Sequence, residues 1–329
     1  MDDRVLAAVL AAGAAVLDEP ALARLGADLA HVSGAPVPVG VCGRPGAGRD
    51  TVRHALRGAD VVVADPGGAA EIGVYVFTET LTPEDRAALS AARRPMVAVL
   101  NKADLICFAG ARPMAAAAAR CRELQSSTGV PTRPLAALLA GVATDPAGVD
   151  PNLVAALRRL SIGPSGLAGS RRIGTGVRRR LLAELDLVGV AIAAAAVSGG
   201  AGSEVLTALF REFSGIQGVL EEIGEAAAVI RYRRLLRALA PLAERAVGSR
   251  GAPVAAFLAS DAVVLARMAA ASEVVTAPAV PGGRNALLCR AIYFQRYARG
   301  PVSGLHRDCG IDIARGALRQ WRRAGDSGE

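Results

Sequence analysis

Hydrophobic and polar positions change their period along the chain. In the first half, short apolar runs alternate with amphipathic stretches, as in a sheet whose parallel strands are joined by helices. The predicted strands lie in "PVPVGVCG" (36–43), at 60–65, 72–77 and 95–100, and within 132–140; the predicted helices lie at 50–57, after the cap Thr82, and at 112–127. This order predicts an α/β fold: a three-layer α/β/α domain with a mostly parallel sheet.

Beyond residue 181 only helical periodicity is left, and the Pro-, Gly- and Ser-rich stretch before it is typical of a linker. Helices are predicted there at 178–197, 203–213, 216–247, 252–271, 284–298 and 310–323, and two Ala/Leu-rich helices are predicted at 3–17 and 20–33. We therefore predict four parts: N-terminal helices at 1–35, the α/β domain at 36–145, a linker at 146–180, and an all-helical domain at 181–329.

A glycine-rich loop follows the first predicted strand. Its spacing matches the phosphate-binding loop G-x-x-x-x-G-K-[ST]. The glycines are Gly43, Gly46 and Gly48. Such glycines let backbone N–H groups face phosphate oxygens, and the next helix N-terminus adds positive potential. Arg49 replaces the usual lysine and Asp50 the usual hydroxyl residue, while Thr51 offers a hydroxyl one position later.

A second motif, "LNKADL" at 100–105, ends a fully apolar predicted strand. Lys102 in this motif is the only lysine among the 38 basic residues of the chain. A compact ammonium group and a planar guanidinium fork are not interchangeable in a tight pocket. The position of the single lysine therefore indicates that its ammonium group matters in this motif.

Over about residues 37–142 the chain resembles a degenerate P-loop GTPase domain of the translation-factor-related class, whose N-K-x-D motif specifies guanine. The resemblance implies GTP or GDP as the ligand. It implies that Asn101 reaches the major-groove edge of the base, that the Asp104 carboxylate accepts the N1 and N2 hydrogens, and that Lys102 lies over the base. It also implies that "PLAAL" (134–138) lines the other wall of the pocket with the backbone amides of Ala136 and Ala137. The flanking helices resemble Era-like and dynamin-like architectures.

The tetrapeptide "DPGG" (65–68) fits the D-x-x-G motif of the same family. The resemblance implies that Asp65 holds Mg²⁺ through water and that the Gly68 amide meets the γ-phosphate. An ordinary Asp-Pro-Gly turn is the alternative. The candidate ligands for Mg²⁺ are accordingly Asp50, Thr51 and Asp65.

Several parts of the hydrolytic machinery do not fit in the sequence. Only 13 residues separate Thr51 from Asp65, which leaves no room for a switch loop with its magnesium-binding threonine and a further strand. No glutamine or histidine follows "DPGG" to orient a water molecule. We therefore predict slow or absent GTP hydrolysis, and the sequence identifies no catalytic residue.

Charge, cysteine content and the apolar runs indicate which binding partners and which cellular compartment to expect. The net charge is +8, but the arginines are dispersed and aromatic residues make up only 3% of the chain, so nucleic acid is not an expected partner. Five scattered cysteines without a C-x-x-C pair indicate a reducing compartment. The start Met-Asp-Asp has the wrong sign for a secretory signal, and the apolar run 187–197 is about half of what a bilayer requires. We predict a cytoplasmic protein, with a peripheral membrane position as the alternative.

Three hypotheses about function follow. The leading one is a guanine-nucleotide-binding, GTPase-like protein whose nucleotide state is relayed to the helical domain. The second is a nucleotide-free pseudo-GTPase scaffold that pairs with another GTPase or with itself. The third is a dynamin-like protein at an anionic membrane surface, reached through Arg231, Arg234 and Arg237 or through the arginines around Trp321. For these arginines, ordinary amphipathic helices with solvated charges are the alternative.

Overall fold

The computed structural model describes residues 34–106, 113–161, 174–248, 251–276 and 283–326. The helices predicted at 3–17 and 20–33 lie outside these ranges. The chain divides into two compact units, one formed by Val37–Gly224 and the other by Met1–Pro36 with Glu225–Glu329.

The first unit begins with alternating strands and helices and continues with helices alone. Its elements are β1 Val39–Gly43, α1 Arg49–Gly58, β2 Ile72–Phe77, α2 Pro83–Ser90, β3 Met96–Asn101, a 3₁₀ turn Ala103–Leu105, α3 Pro113–Thr128, β4 Thr132–Leu135, α4 Ala137–Thr144, α5 Pro151–Ser161, α6 Thr175–Ser198 and α7 Ser203–Ser214. Helix α8, Ile216–Ala246, contains the division between the units, and the second unit continues with α9 Ala252–Leu258, α10 Asp261–Val274, α11 Arg284–Arg299 and α12 Gly304–Asp326.

The four strands form one parallel sheet in the order β1-β2-β3-β4. On one face, side chains of β2 and β3 pack against α2 and α3, and the alternate positions point to the other face. The alternate valines Val74, Val76, Val97 and Val99 are also fully buried or nearly so. Both faces are therefore covered, as parallel sheets require, and the predicted α/β domain followed by helices is confirmed.

The strand predicted at 60–65 is wrong. This segment makes a single parallel bridge between Val63 and Val39, with hydrogen bonds from the Val39 N–H to the Val62 carbonyl (2.8 Å) and from the Ala64 N–H to the Val39 carbonyl (2.9 Å). Val62 is 49% exposed, so its side chain lies at the uncovered edge of the sheet. The valine run resembles a buried strand in composition, but here it has a partner on one side for one residue only.

Parts of the linker predicted at 146–180 are helical, at 151–161 and from 175 onward, while residues 162–173 lie outside the described ranges. Helix α5 occupies 151–161, and its leucines Leu153, Leu157 and Leu160 are buried among residues of α4, α6 and α7. These leucines are four and three residues apart, a helical spacing. The prediction relied on the Pro- and Gly-rich composition around these leucines and overlooked their spacing. Helices α6 and α7 consequently belong to the same compact unit as the sheet.

A buried carboxylate anchors the start of helix α2. Asp85 is fully buried, accepts hydrogen bonds from the Tyr75 hydroxyl (2.6 Å) and the Thr82 N–H (2.8 Å), and lies 3.2 Å from the Arg44 guanidinium. Thr82 caps the helix in return, which completes the capping box expected from the sequence. Burial alone would raise the pKa of Asp85, but the bonds from Tyr75 and Thr82 and the charge of Arg44 outweigh it and lower the pKa.

We expect Asp85→Asn to destabilise the protein by about 2 kcal/mol, because an amide NH₂ must then face a hydroxyl or N–H donor in a buried place. Since the pKa of Asp85 is lowered by folding, its contribution is present above the unfolded carboxyl pKa and is lost as the pH falls. Urea denaturation at neutral pH measures the effect. The exposed neighbour Glu84→Gln should change stability far less, and an equal loss in both variants would contradict the buried-network interpretation.

The second unit is all-helical, with a core of side chains from helices α8 to α12. Tyr232 is fully buried at its centre and donates to Asp312 (2.9 Å), which also lies 2.8 Å from Arg267. Of the arginines considered for an anionic surface, Arg231 pairs with Glu273 (2.8 Å), and both Arg319 and Arg323 pair with Asp261. The Arg284 guanidinium lies 4.6 Å from the Trp321 ring. These contacts favour the interpretation as ordinary amphipathic helices, because these arginines form ion pairs or a ring contact within the unit.

One described helix, α6, is long and apolar enough to cross a bilayer by length and composition alone, and the bent pair α9 and α10 passes the same test as a broken span. Core helices of soluble proteins pass this test too. Along α6, Leu182 and Leu187 are exposed while Leu181, Leu185 and Val190 are buried. Helix α6 therefore has one buried face.

Candidate functional site

A cavity of about 270 Å³ lies where the sheet strands end. In parallel sheets ligands bind outside the carboxyl ends of the strands, and here the lining comes from the residues after β1, β3 and β4 and from helix α6. The cavity is lined by Gly48, Thr51, Asn101, Lys102, Asp104, Leu105, Ala136, Ala137, Leu138, Leu139 and Asp186. It thus brings together seven of the sequence-predicted binding residues.

At two positions of the glycine loop, the backbone angles and the close neighbours leave no room for a side chain. Gly43 has a φ of 135°, and a Cβ on it would come within 2.1 Å of the Val76 carbonyl oxygen. Gly48 precedes helix α1 with a φ of 87°, and a Cβ there would lie 2.4 Å from Nδ2 of Asn101. Gly48 provides no side-chain cap, so the first N–H groups of α1 have no partner from that source.

Asn101 joins the two walls of the cavity. Its side chain is 3% exposed. Nδ2 donates to the Ala47 carbonyl (2.8 Å), and Oδ1 accepts from the Ala137 N–H (3.2 Å). One amide therefore links the glycine loop to the start of helix α4. The second Nδ2 hydrogen and the second lone pair of Oδ1 are not used by these two bonds.

Asp104 and Lys102 place opposite charges in the cavity. Asp104 is buried, in the 3₁₀ turn after β3, and burial raises the pKa of its carboxyl; its own backbone N–H lowers the pKa and the charge of Asp186 raises it further. Lys102 is exposed and has left-handed backbone angles, φ 57° and ψ 36°. The buried carboxylate is thus the strongest hydrogen-bond acceptor that the motif presents to a ligand.

Because folding raises the pKa of Asp104, we expect the stability of the protein to depend on whether this carboxyl is protonated. The folded chain holds this proton more tightly than the unfolded chain, so the contribution of Asp104 to stability is largest at low pH and is lost as the pH rises through the folded pKa. Without ligand, Asp104→Asn should therefore gain stability relative to the original protein as the pH rises from about 4, the usual carboxyl value, through the raised folded pKa. Denaturant unfolding across this range measures it, with the exposed Asp60→Asn as a control of equal charge change. A constant difference across the range would contradict the prediction.

The residues that depart from the phosphate-loop pattern contact the protein itself. The Arg49 guanidinium donates to the Gly43 carbonyl (3.2 Å). The Asp50 carboxylate is 93% exposed and pairs with Arg53, one turn along the helix. Thr51 alone of these three lines the cavity. The charge of Asp50 is therefore partly neutralised and held by its neighbour.

The "DPGG" segment forms a hydrogen-bonded turn. The Gly68 N–H donates to the Asp65 carbonyl (2.8 Å), and Gly67 has a φ of 84°, as a type II turn with Pro66 before it requires. The Asp65 carboxylate is 91% exposed and lies 3.6 Å from Arg57. Gly68 and Asp65 do not line the cavity. The structure thus supplies the turn that the alternative interpretation expected.

Ala136 and Ala137 line the cavity, but their amides are engaged within the protein. The Ala136 N–H donates to the Ser214 carbonyl (2.9 Å) and the Ala137 N–H to Asn101. To bond a base as the resemblance implies, either amide would have to give up this internal hydrogen bond. Helix α4 begins at Ala137, inside the segment 132–140 that was predicted to contain a strand, and the first-turn N–H groups of Leu138 and Leu139 have no partner within the helix.

The sequence analysis missed four lining residues: Leu105, Leu138, Leu139 and Asp186. Leu105 and Leu138 are the last residues of the quoted "LNKADL" and "PLAAL" but were given no role there, and Leu139 directly follows the second motif. No sequence signal placed Asp186 there, since it is 82 residues beyond Asp104 and on a different helix.

The second unit has a larger concavity of about 550 Å³, lined by leucines and alanines of α8 to α10 together with Arg267, Arg315 and Arg319. Arg267 and Arg319 pair with Asp312 and Asp261. Of the residues singled out from the sequence, this concavity contains Arg319, which was considered for an anionic surface, and none of the nucleotide-binding candidates.

Within the described residues, no group of three or more His, Cys, Asp or Glu side chains is arranged to hold a metal ion. No protein-family model matches the chain, and no curated protein or solved structure matches it.

Proposed function

We propose that the protein binds a guanine nucleotide in the cavity after β3. One observation carries the proposal: a single cavity is lined by Gly48 and Thr51 from the end of the glycine loop and by Asn101, Lys102 and Asp104 from the N-K-x-D motif. These segments are about fifty residues apart in sequence, and a chance match to a four-letter motif would not bring them together.

The chemistry of the lining suits guanine better than adenine. The buried Asp104 carboxylate needs hydrogen-bond donors, and guanine offers N1–H and the 2-amino group on one edge, whereas adenine offers no N1–H. A buried acceptor left unpaired by the wrong base is costly, so the site would discriminate strongly. The cavity of about 270 Å³ is smaller than the roughly 300–1,000 Å³ that encloses a drug-sized ligand. We infer that it takes the base, and that the phosphates extend along the glycine loop toward α1.

The proposed magnesium ligands fit less well. Asp50 and Asp65 are exposed and each lies beside an arginine, which leaves Thr51 as the only candidate that lines the cavity. Mg²⁺ is commonly held by one or two protein groups together with substrate phosphates, but the two carboxylates do not fit that arrangement. We therefore propose nucleotide binding with slow or absent hydrolysis, and derive no step through a metal ion.

Isothermal titration calorimetry of the full chain with GDP, GTP and ATP tests the proposal. We expect saturable binding of GDP and GTP and at least about a hundredfold weaker binding of ATP, because two hydrogen bonds to Asp104 are lost with adenine. Equal affinity for ATP would overturn guanine recognition, and silence for all three nucleotides would overturn nucleotide binding.

A second candidate, a nucleotide-free scaffold, is favoured by the internal bonding of the loop. Arg49 donates to the Gly43 carbonyl, Asn101 bridges Ala47 and Ala137, and Ala136 is bonded to Ser214. Hydrogen bonds within the protein thus hold the loop in its conformation. Silence in calorimetry, combined with concentration-dependent mass in analytical ultracentrifugation, would support the scaffold with self-association.

A further inference from the structure

Asp186 interrupts helix α6 where this helix lines the cavity. Asp186 has φ 58° and ψ −178°, the only non-helical angles within Thr175–Ser198. This backbone region is essentially restricted to glycine, because a Cβ is strained there. A residue with a side chain is therefore held at a free-energy cost at a position that lines the cavity.

Helix α6 is fixed tightly beside the cavity. A Cβ on Gly189, one turn beyond Asp186, would lie 2.4 Å from Cδ2 of Leu139, so α6 and the cavity-lining start of α4 are in close contact. Leu185, next to Asp186, is fully buried. The packing on either side thus holds the interruption where it is.

The Asp186 carboxylate is only partly used within the helix. Oδ1 accepts from the Leu187 N–H (2.6 Å), the first N–H after the interruption of α6. A carboxylate has two oxygens and about four acceptor positions. The charge of Asp186 also raises the pKa of the Asp104 carboxyl, so the two side chains act on the same part of the cavity. Two neighbouring carboxylates repel each other, and a ligand that donates hydrogen bonds to both relieves this repulsion.

We propose that Asp186 is a second specificity-determining residue of the site and accepts a hydrogen bond from the 2-amino group of a bound guanine. This inference rests on the proposed function. Asp104 takes N1–H and one hydrogen of the 2-amino group, and Asp186 takes the other hydrogen. Bound guanine thereby joins the N-K-x-D turn to helix α6, and the strained backbone is the consequence of placing a carboxylate where the fold would favour glycine.

Calorimetry with GDP and IDP, whose base lacks the 2-amino group, on the original protein and on Asp186→Asn tests this role. Asparagine caps helices as well as aspartate, but with Oδ1 on Leu187 it turns an NH₂ donor toward the ligand. We expect the GDP affinity of Asp186→Asn to fall about tenfold or more and the IDP affinity to change less than about threefold. The matched control Glu184→Gln, on the same helix and paired with Arg180, should leave both affinities unchanged.

Asp186→Gly provides an independent readout of the strain. It should raise the denaturation midpoint, because glycine adopts these backbone angles without strain, and it should lower the GDP preference as Asp186→Asn does. If the original protein binds GDP but the ratio of GDP to IDP affinity is unchanged in Asp186→Asn, the second contact is wrong and the proposed function stands. If the original protein binds neither nucleotide, the proposed function fails and this inference fails with it.

Discussion

Asp104→Asn is expected to lower the ratio of GDP to XDP affinity by at least about a hundredfold. The carboxylate accepts from two donors on guanine, and each hydrogen bond to a charged group contributes about 1.5–3 kcal/mol. Asparagine can still accept from N1–H, but its NH₂ faces the guanine 2-amino group donor to donor. Xanthine has an oxygen at this position and accepts from the same NH₂. Calorimetry of both proteins with both nucleotides measures the ratio.

The ratio separates base recognition from loss of the folded structure. A variant that has lost its fold weakens GDP and XDP together, whereas a variant with altered recognition changes one relative to the other. Asp60→Asn, exposed and outside the cavity, makes the same charge change and should leave the ratio as it is. If Asp104→Asn binds GDP as the original protein does, Asp104 does not contact the base, and the guanine proposal is wrong.

Asn101→Ala is expected to lower the free energy of unfolding by about 4 kcal/mol and to abolish nucleotide binding. The substitution removes both hydrogen bonds of a side chain that is 3% exposed. It leaves the Ala47 carbonyl and the Ala137 N–H unpaired, and each buried unsatisfied group costs about 1–3 kcal/mol. Removing the amide also opens space beside Gly48, where a Cβ in the original protein would lie 2.4 Å from Nδ2 of Asn101. Urea denaturation followed by circular dichroism measures the stability.

Asn285→Ala is the matched control for this prediction, because Asn285 is exposed at the start of helix α11. We expect it to change stability by no more than about 0.5 kcal/mol. Nucleotide binding by Asn101→Ala should be measured in conditions where the variant is still folded. Stability close to that of the original protein would mean that water replaces both bonds, and that the link between the two walls contributes little.

The helices were the most predictable part of the fold, because their evidence is local. Pro83 after the cap Thr82, with Asp85 three residues beyond the cap, fixes the start of α2 in sequence and in structure. The helix predicted at 216–247 is α8 at Ile216–Ala246. The valine run at 60–65 was not predictable in the same way, because whether it forms a strand depends on a neighbouring strand on its outer side.

The candidate site was predictable where its residues follow the strands directly. Asn101 and Asp104 come immediately after the apolar run of β3, and strand ends in parallel sheets face the ligand side. The partners of the backbone amides of Ala136 and Ala137 were not predictable, since they depend on Asn101 and on Ser214 from another helix. Asp186 reaches the cavity only through the packing of α6 against α4, and no spacing rule relates it to the motifs.

The use of arginine at nearly all basic positions has a practical consequence. Lys102 is the only lysine in residues 1–329, and its side chain is exposed where it lines the cavity. An acylating reagent selective for primary amines therefore has one side-chain amine with which to react. A fluorophore or spin label attached there reports from the mouth of the cavity, and no engineered cysteine is needed.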